Sequence, residues 1–318
     1  MIDRRVRVTT LLVTHPAYAR HETPIGHPER VDRILAVERT LADPLFDPLE
    51  RIEAPLASIE MIAACHPPAY VEVLRRLSPR EGERSVQVDG DTSMSSGSFE
   101  AALRGVGGAA LAVDLVMSGR VGNAFSASRP PGHHAEPKRA MGFCLFNNVA
   151  IAARHAQKMH GAERVAILDF DVHHGNGTQA IFWNDPSVLY ASTHQMPLYP
   201  GTGAASETGE TGNIVNAPLR PGQGGREFRE AMQSVILPRM LEFSPDLVLI
   251  SAGFDAHMRD PLGGLNFVEE DYAWVTARLL DLAAKTADGR IVSVLEGGYD
   301  LTALACSSAV HVARLMQA

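Results

Sequence analysis

Short apolar runs alternate with longer helix-like stretches along nearly the whole chain. Six runs predict strands: 6–14 (VRVTTLLVT), 121–127 (VGNAFSA), 164–170 (RVAILDF), 187–193 (SVLYAST), 246–252 (DLVLISA) and 290–295 (RIVSVL). Most are continuously apolar rather than alternating, as suits parallel strands covered on both faces. Helix candidates lie between them at 29–42, 58–77, 97–118, 147–160, 226–243, 269–286 and 301–316. Of these, Ser98–Met117 and Asp271–Ala284 carry apolar residues at helical spacing. This alternation predicts one doubly wound α/β domain over residues 1–318, without internal repeats. The stretch 200–226, rich in Gly, Pro, Thr and Asn, reads as a long surface loop. The "GVGG" at 105–108 falls inside a helical stretch and reads as close packing.

The polar clusters occupy one kind of position, just past the carboxyl end of a predicted strand. "RPPGHHAEPKRAMGFC" follows 121–127, "DFDVHHGNG" ends 164–170, "SAGFDAHMRDPLGG" follows 246–250, and "EGGYD" follows 290–295. Open parallel sheets place their ligand sites outside those strand ends. The clusters are therefore expected to share one crevice.

Their chemistry is specific. Asp171 and His173 stand two apart, so on an extended segment both point to one side. Asp255, beyond another strand, can supply a third ligand. Two carboxylates and one imidazole suit Zn²⁺ or Fe²⁺, and three protein ligands leave a position open for water. The alternative is a buried polar network that holds no ion. His133-His134 supplies a candidate base, with Asp169 and Asn176 as candidate partners that orient the rings. Tyr299, after Gly297-Gly298, can hydrogen-bond a carbonyl oxygen as it gains charge. Activated water, a base and an oxyanion donor together specify hydrolysis of an amide or ester.

Composition removes other classes. A formal net charge of −8 argues against nucleic-acid binding. The cysteines, Cys65, Cys144 and Cys306, form no CxxC pair, so neither a disulfide framework nor a thiolate zinc site is expected. No window approaches the ~20 apolar residues of a membrane span. Arg4, Arg5 and Arg7 before "VTTLLVTHPAYA" imitate a signal peptide, but Thr14, His15 and Pro16 break the apolar core. A cytoplasmic protein is expected. No nucleophile elbow, GxGxxG or GxxxxGK[ST] motif supports acyl-enzyme, dinucleotide or P-loop chemistry.

Taken together, "GHPERVDRI" (26–34), "RPPGHHAEPKRAMGFCLFNNVAIAA" (129–153), "DFDVHHGNGTQAIF" (169–182), "SAGFDAHMRDPLGG" (251–264) and "EGGYDL" (296–301) resemble the histone deacetylase superfamily. The resemblance covers nearly the whole chain. It implies the arginase/deacetylase fold, a predominantly parallel eight-stranded sheet flanked by helices. It also implies Zn²⁺ on Asp171, His173 and Asp255 at the end of a narrow acyl-lysine tunnel. His134 matches the general base and then acid, and His133 its electrostatic partner, oriented by Asp169. Tyr299 matches the transition-state tyrosine. Gly142, Phe143 and Tyr199 match tunnel walls, Leu262 the rim, and Arg33 an internal acetate-release channel. A structural K⁺ would use Asp169, the backbones of Asp171, His173 and Thr193, and Ser192. A second would lie near Phe182 and Val188. Asn176, where class I members carry Asp, and "EGGY" rather than "GGGY" resemble class II; Asn176 should raise the pKa of His134 less than Asp would. Arginases resemble D-x-H-x-D and bind two Mn²⁺, but Gly175 stands at the last position, so a single-metal site follows.

The expected substrate is an acylated lysine of a protein, with acetylpolyamines, or a non-hydrolytic acyl-lysine binder, as alternatives. Leu262 favours the first, because the polyamine-selective relative carries an acidic gatekeeper there. A homo-oligomer is compatible with the sequence.

Overall fold

A computed structural model describes residues 9–318; Arg4, Arg5, Arg7 and the start of the strand expected at 6–14 lie outside the described residues. Ten strands occur among them: β1 (Thr10–Thr14), β2 (Glu50–Glu53), β3 (Val86–Gln87), β4 (Ser93–Met94), β5 (Asn123–Ser126), β6 (Val165–Asp169), β7 (Val188–Gln195), β8 (Ile214–Leu219), β9 (Leu247–Ala252) and β10 (Ile291–Leu295). Eight form one parallel sheet in the order β2-β1-β5-β10-β9-β6-β7-β8. β3 and β4 make a small antiparallel ribbon.

Continuous apolar runs become strands buried at every position, as in β6 (VAILD) and β9 (LVLISA). Such strands need cover on both faces, and the helices supply it. Ser98–Met117 pairs with Asn148–His160, while Leu301–Leu315 packs against Val31–Thr40 and Glu269–Thr286. The Gly-rich turn of Ser98–Met117 is close packing, as read from "GVGG". A Cβ on Gly107 would overlap the Pro55 carbonyl, and one on Gly108 would lie 3.1 Å from the Ala54 methyl.

Three expectations need correction. The stretch 200–226 is not simply a loop, because it contains β8. That strand pairs with β7 from Tyr190↔Ile214 to Gln195↔Leu219. Asn216 and Pro218 mask its strand character, and an edge position tolerates the proline. The helix expected over 58–77 splits into Ile59–Ile62 and Pro68–Leu77 at Pro67-Pro68. The helix expected over 226–243 contains a π-helical turn at Met232–Ile236. No helix among the described residues is long and apolar enough to cross a membrane.

Candidate active site

β5, β10, β9 and β6 are consecutive in the sheet, and each leads directly into one of the polar segments. After β6 the chain stays irregular from Phe170 to Gly175 before the helix Asn176–Phe182 begins. This stretch carries Asp171 and His173 towards Asp255, which follows β9. His173 Nδ1 lies 3.1 Å from both Asp171 Oδ1 and Asp255 Oδ2. All three residues are buried. Backbone donors aim the carboxylates: Val172 N–H donates to Asp255 Oδ1 (2.8 Å), His173 N–H to Asp171 Oδ1 (2.9 Å), and Gly297 N–H to Asp171 Oδ2 (2.8 Å).

The backbone comes this close because glycines flank the cluster. A Cβ on Gly253 would overlap Asp171 Oδ2; one on Gly297 would overlap Asp255 Oδ2 and lie 2.6 Å from Asp171 Oδ2. The electrostatics are demanding. Burial and the charge of Asp171 push Asp255 above the usual carboxylate range. Burial also works against an ionised Asp171, but the His133 and His173 imidazoles hold it well below that range. Burial likewise opposes a charged His173, and the two carboxylates overcome it, pushing the ring up to about 10. One imidazole nitrogen with two carboxylate oxygens is a donor set suited to a divalent ion, which would take the place of the His173 proton. Position 175 offers no further ligand, since even a Cβ there would overlap Asp169 Oδ2.

His133 and His134 sit beside this cluster with ring centroids 4.0 Å apart. His133 Nδ1 is 2.9 Å from Asp169 Oδ2, and His134 Nδ1 is 2.8 Å from Asn176 Oδ1. The Asn176 amide donates to Glu136 Oε1 (2.8 Å), which turns its oxygen towards His134. His134 therefore carries its proton on Nδ1 and keeps Nε2 free. Burial opposes charge on both rings, but the outcomes differ. Asp169 and Asp171 hold His133 well above the usual imidazole range. His134, beside the charges of His133 and His173, is held well below it. Neighbouring titratable groups driven apart in this way mark acid and base assignments.

His134 and His173 are among the most buried residues lining a cavity of about 250 Å³, whose walls include Gly142, Phe143, Tyr199, Leu262 and Tyr299. Tyr199 lies edge-on to His134, with centroids 5.2 Å apart. Phe143 has φ +67°, a strained value for a bulky residue. Thr92 Oγ1 accepts its N–H (3.0 Å), and its ring stands between His27 (4.7 Å) and Tyr299 (5.8 Å). Asp260 Oδ2 accepts the Tyr299 N–H (2.7 Å), and Asp260 Oδ1 the Leu262 N–H (3.0 Å). Burial keeps the Tyr299 phenol well above its usual range, although Arg33 works the other way.

Arg33 lies behind this wall rather than on it, with its guanidinium carbon 4.8 Å from the Tyr299 ring centroid. It donates to the carbonyls of Gly298 (2.5 Å) and Glu296 (2.6 Å) and to Glu29 Oε1 (2.9 Å). Near the expected K⁺ position, Asp169 pairs with Ser192 across β6 and β7. Ser192 Oγ is 2.8 Å from His194 Nδ1, and Thr193 Oγ1 is buried without a hydrogen-bond partner among the described residues. Around the second expected K⁺ position, Asn213 donates to the carbonyls of Phe182 (2.8 Å), Asp185 (3.0 Å) and Val188 (3.0 Å). Those three carbonyls converge on one amide nitrogen, which has two hydrogens to offer them.

The residue reading missed Glu136, Asp260, Glu296 and Asp91. Glu296 accepts the N–H groups of Gly132 (2.6 Å) and His133 (3.1 Å), tying β10 to the histidine loop. Asp91 lines the cavity and accepts the Gly142 N–H (3.0 Å). Glu136 stands two residues after His134, where a carboxylate beside a candidate base was a usable signal. Asp91 carried none.

Fold and cluster define an α/β protein with a candidate metal site and a histidine pair at the carboxyl ends of a parallel sheet. The chain belongs to the histone deacetylase family: the family model described as "Histone deacetylase domain" matches residues 27–315. It is 42% identical over 300 residues to a probable deacetylase of Archaeoglobus fulgidus, covering 92% of this chain and 82% of that one. It is 41% identical over 291 residues to a histone deacetylase-like amidohydrolase of Pseudomonas aeruginosa, covering 90% and 74%. The crystal structure of the HDA15 HD domain superposes with a TM-score of 0.90 at 37% identity, covering 97% of this chain and 88% of that one. The chain is accordingly an amide-hydrolysing enzyme of the deacetylase type.

Proposed function

We propose that the protein is a zinc-dependent deacylase that removes acetyl or other short acyl groups from lysine side chains. The observation that carries this reading is the Asp171–His173–Asp255 triangle beside two histidines, one held by Asp169 and the other by Asn176, at a cavity about 250 Å³ in volume. A Zn²⁺ held by the triangle supplies Lewis-acid chemistry, polarising the amide carbonyl and acidifying a water. His134 is neutral and has Nε2 free, so it accepts the proton of the attacking water and returns it to the departing amine. His133 stays charged against Asp169 and stabilises negative charge developing nearby. Tyr299 donates its phenolic hydrogen to the carbonyl oxygen as that oxygen gains charge. Phe143 and Tyr199 give the acyl-lysine stem apolar walls. A structural K⁺ on Asp169, Ser192 and the backbones of Asp171, His173 and Thr193 belongs to the same reading, as does a cytoplasmic location.

A second reading, acetylpolyamine hydrolysis, draws on Asp91, whose carboxylate lines the cavity and would attract a cationic substrate. Protein lysine is favoured because Asp91 Oδ1 already accepts two donors, Gly142 N–H and the Thr92 hydroxyl. Leu262, on the same wall, brings no charge, and desolvating a polyamine against it is unfavourable. The deciding measurement is kcat/KM for an acetyl-lysine peptide against acetylspermidine. A tenfold or greater preference for the polyamine overturns the lysine assignment. Metal analysis should show one equivalent per chain that Asp255→Ala loses together with activity.

A further inference from the structure

Away from the strand ends, a second set of metal-capable side chains converges between two helices. Asp114 on Ser98–Met117 meets His155 and His160 on Asn148–His160. His155 Nε2 and His160 Nε2 each lie 2.7 Å from Asp114 Oδ1, with ring centroids 6.1 Å apart. One donor atom from each of the three lies within 4.8 Å of the others. Helix geometry alone does not bring this about, since positions five apart point about 140° away from each other. The rings meet because both turn towards the neighbouring helix and the same carboxylate.

The chemistry suits a borderline divalent ion, with two imidazole nitrogens and a carboxylate oxygen. In a tetrahedral zinc site, bonds of 2.0–2.1 Å place donor atoms about 3.3 Å apart. The two contacts to Asp114 would open by roughly half an ångström, which side-chain rotation supplies. Adjacent cations are already matched: Lys158 pairs with Glu60 (2.7 Å), and Arg154 with Asp185. His160 is the last residue of its helix, where the negative end of the macrodipole favours a cation. Asp114 and His160 are partly exposed, at 44% and 22%, so an ion can enter without unfolding.

We propose that Asp114, His155 and His160 form a second divalent-metal site that takes Zn²⁺ or a similar ion and clasps the two helices. It does not depend on the strand-end reading. The two sites are well separated. The amino end of the helix Asn148–His160 is capped by Asn147, whose amide donates to Thr178 Oγ1 (3.0 Å) beside the histidine loop. Along the helix axis from Asn148, His155 lies about 10 Å and His160 about 18 Å away.

The test counts bound Zn²⁺ by mass spectrometry after equilibrium dialysis of the chelator-stripped protein at micromolar free Zn²⁺. Wild type is expected to bind two equivalents, and His155→Gln/His160→Gln and Asp171→Asn/Asp255→Asn one each. Loading the clasp should also raise the Tm of wild type relative to His155→Gln/His160→Gln. A wild type that binds one equivalent, retained by His155→Gln/His160→Gln, overturns the proposal. So does a second equivalent that persists in that variant. One equivalent lost in His155→Gln/His160→Gln but kept in Asp171→Asn/Asp255→Asn supports the clasp and overturns the strand-end reading instead. Wild type against His155→Gln/His160→Gln decides the proposal even if the strand-end variant does not fold.

Discussion

His311 gives the stability of this fold a pH dependence that can be worked out in advance. It is fully buried on the helix Leu301–Leu315 among Phe125, Phe170 and Phe254, with centroids 5.7–6.1 Å away. Thr276 Oγ1 donates to the Tyr272 carbonyl (2.6 Å), so it must accept from His311 Nδ1 (2.6 Å). The other ring nitrogen, 2.9 Å from Ser293 Oγ, is left to accept. The ring is thus neutral, and burial pushes its pKa down to about 3. The unfolded chain takes up this proton near pH 6.5, whereas the folded chain does not. The stability is therefore complete above pH 6.5 and is lost as pH falls towards 3. Between pH 7 and pH 5 the loss from this one group is about 2 kcal/mol, at roughly 1.4 kcal/mol per pH unit below 6.5. His311→Gln retains a donor and an acceptor but does not titrate. Urea unfolding of both proteins at the two pH values measures the difference, and pH-dependent release of a bound ion cancels between them. A variant that loses as much stability as wild type, within about 0.5 kcal/mol, refutes the assignment.

Tyr299→Phe should lower kcat by about 10²–10³-fold with little change in KM; turnover within twofold of wild type would show that another group stabilises the oxyanion. Gly297→Ala places a Cβ against the carboxylates of Asp171 and Asp255, and on the proposed site zinc affinity measured by chelator competition should fall by at least about 10–100-fold. Unchanged affinity would mean that Asp171 and Asp255 do not bind the ion as placed. Asn213→Ala strips the carbonyls of Phe182, Asp185 and Val188 of their shared donor. It should cost about 1–3 kcal/mol, read by thermal denaturation, and a change below about 0.5 kcal/mol would point to water taking its place.

Legibility followed the number of neighbours a strand has. The inner strands β5, β6, β9 and β10 are buried on both faces, so their apolar runs were plain. The edge strands β2 (ERIE) and β8 (IVNAPL) escaped. One partner is enough for an edge strand, so β2 alternates with solvent and β8 accommodates Pro218. The Asp171–His173–Asp255 cluster and the histidine pair were visible because their residue types are costly to bury without a purpose. The groups that aim them, Glu296 and Asp260, were not, because their partners are backbone N–H groups that only the fold brings near. Asp114, His155 and His160 escaped for the same reason, being unremarkable until two helices pack.

The strand order also bears on how the protein is made. Asp171 and His173 leave the ribosome well before Asp255, and Tyr299 follows later still. Arg33, made long before any of them, waits for the Glu296 and Gly298 carbonyls. Since β9 and β10 insert between strands synthesised earlier, the proposed three-ligand site closes only after most of the sheet has been translated. A nascent chain stalled before β9 can hold the first two ligands but cannot close the site around an ion. Activity in this architecture certifies that synthesis has passed that point.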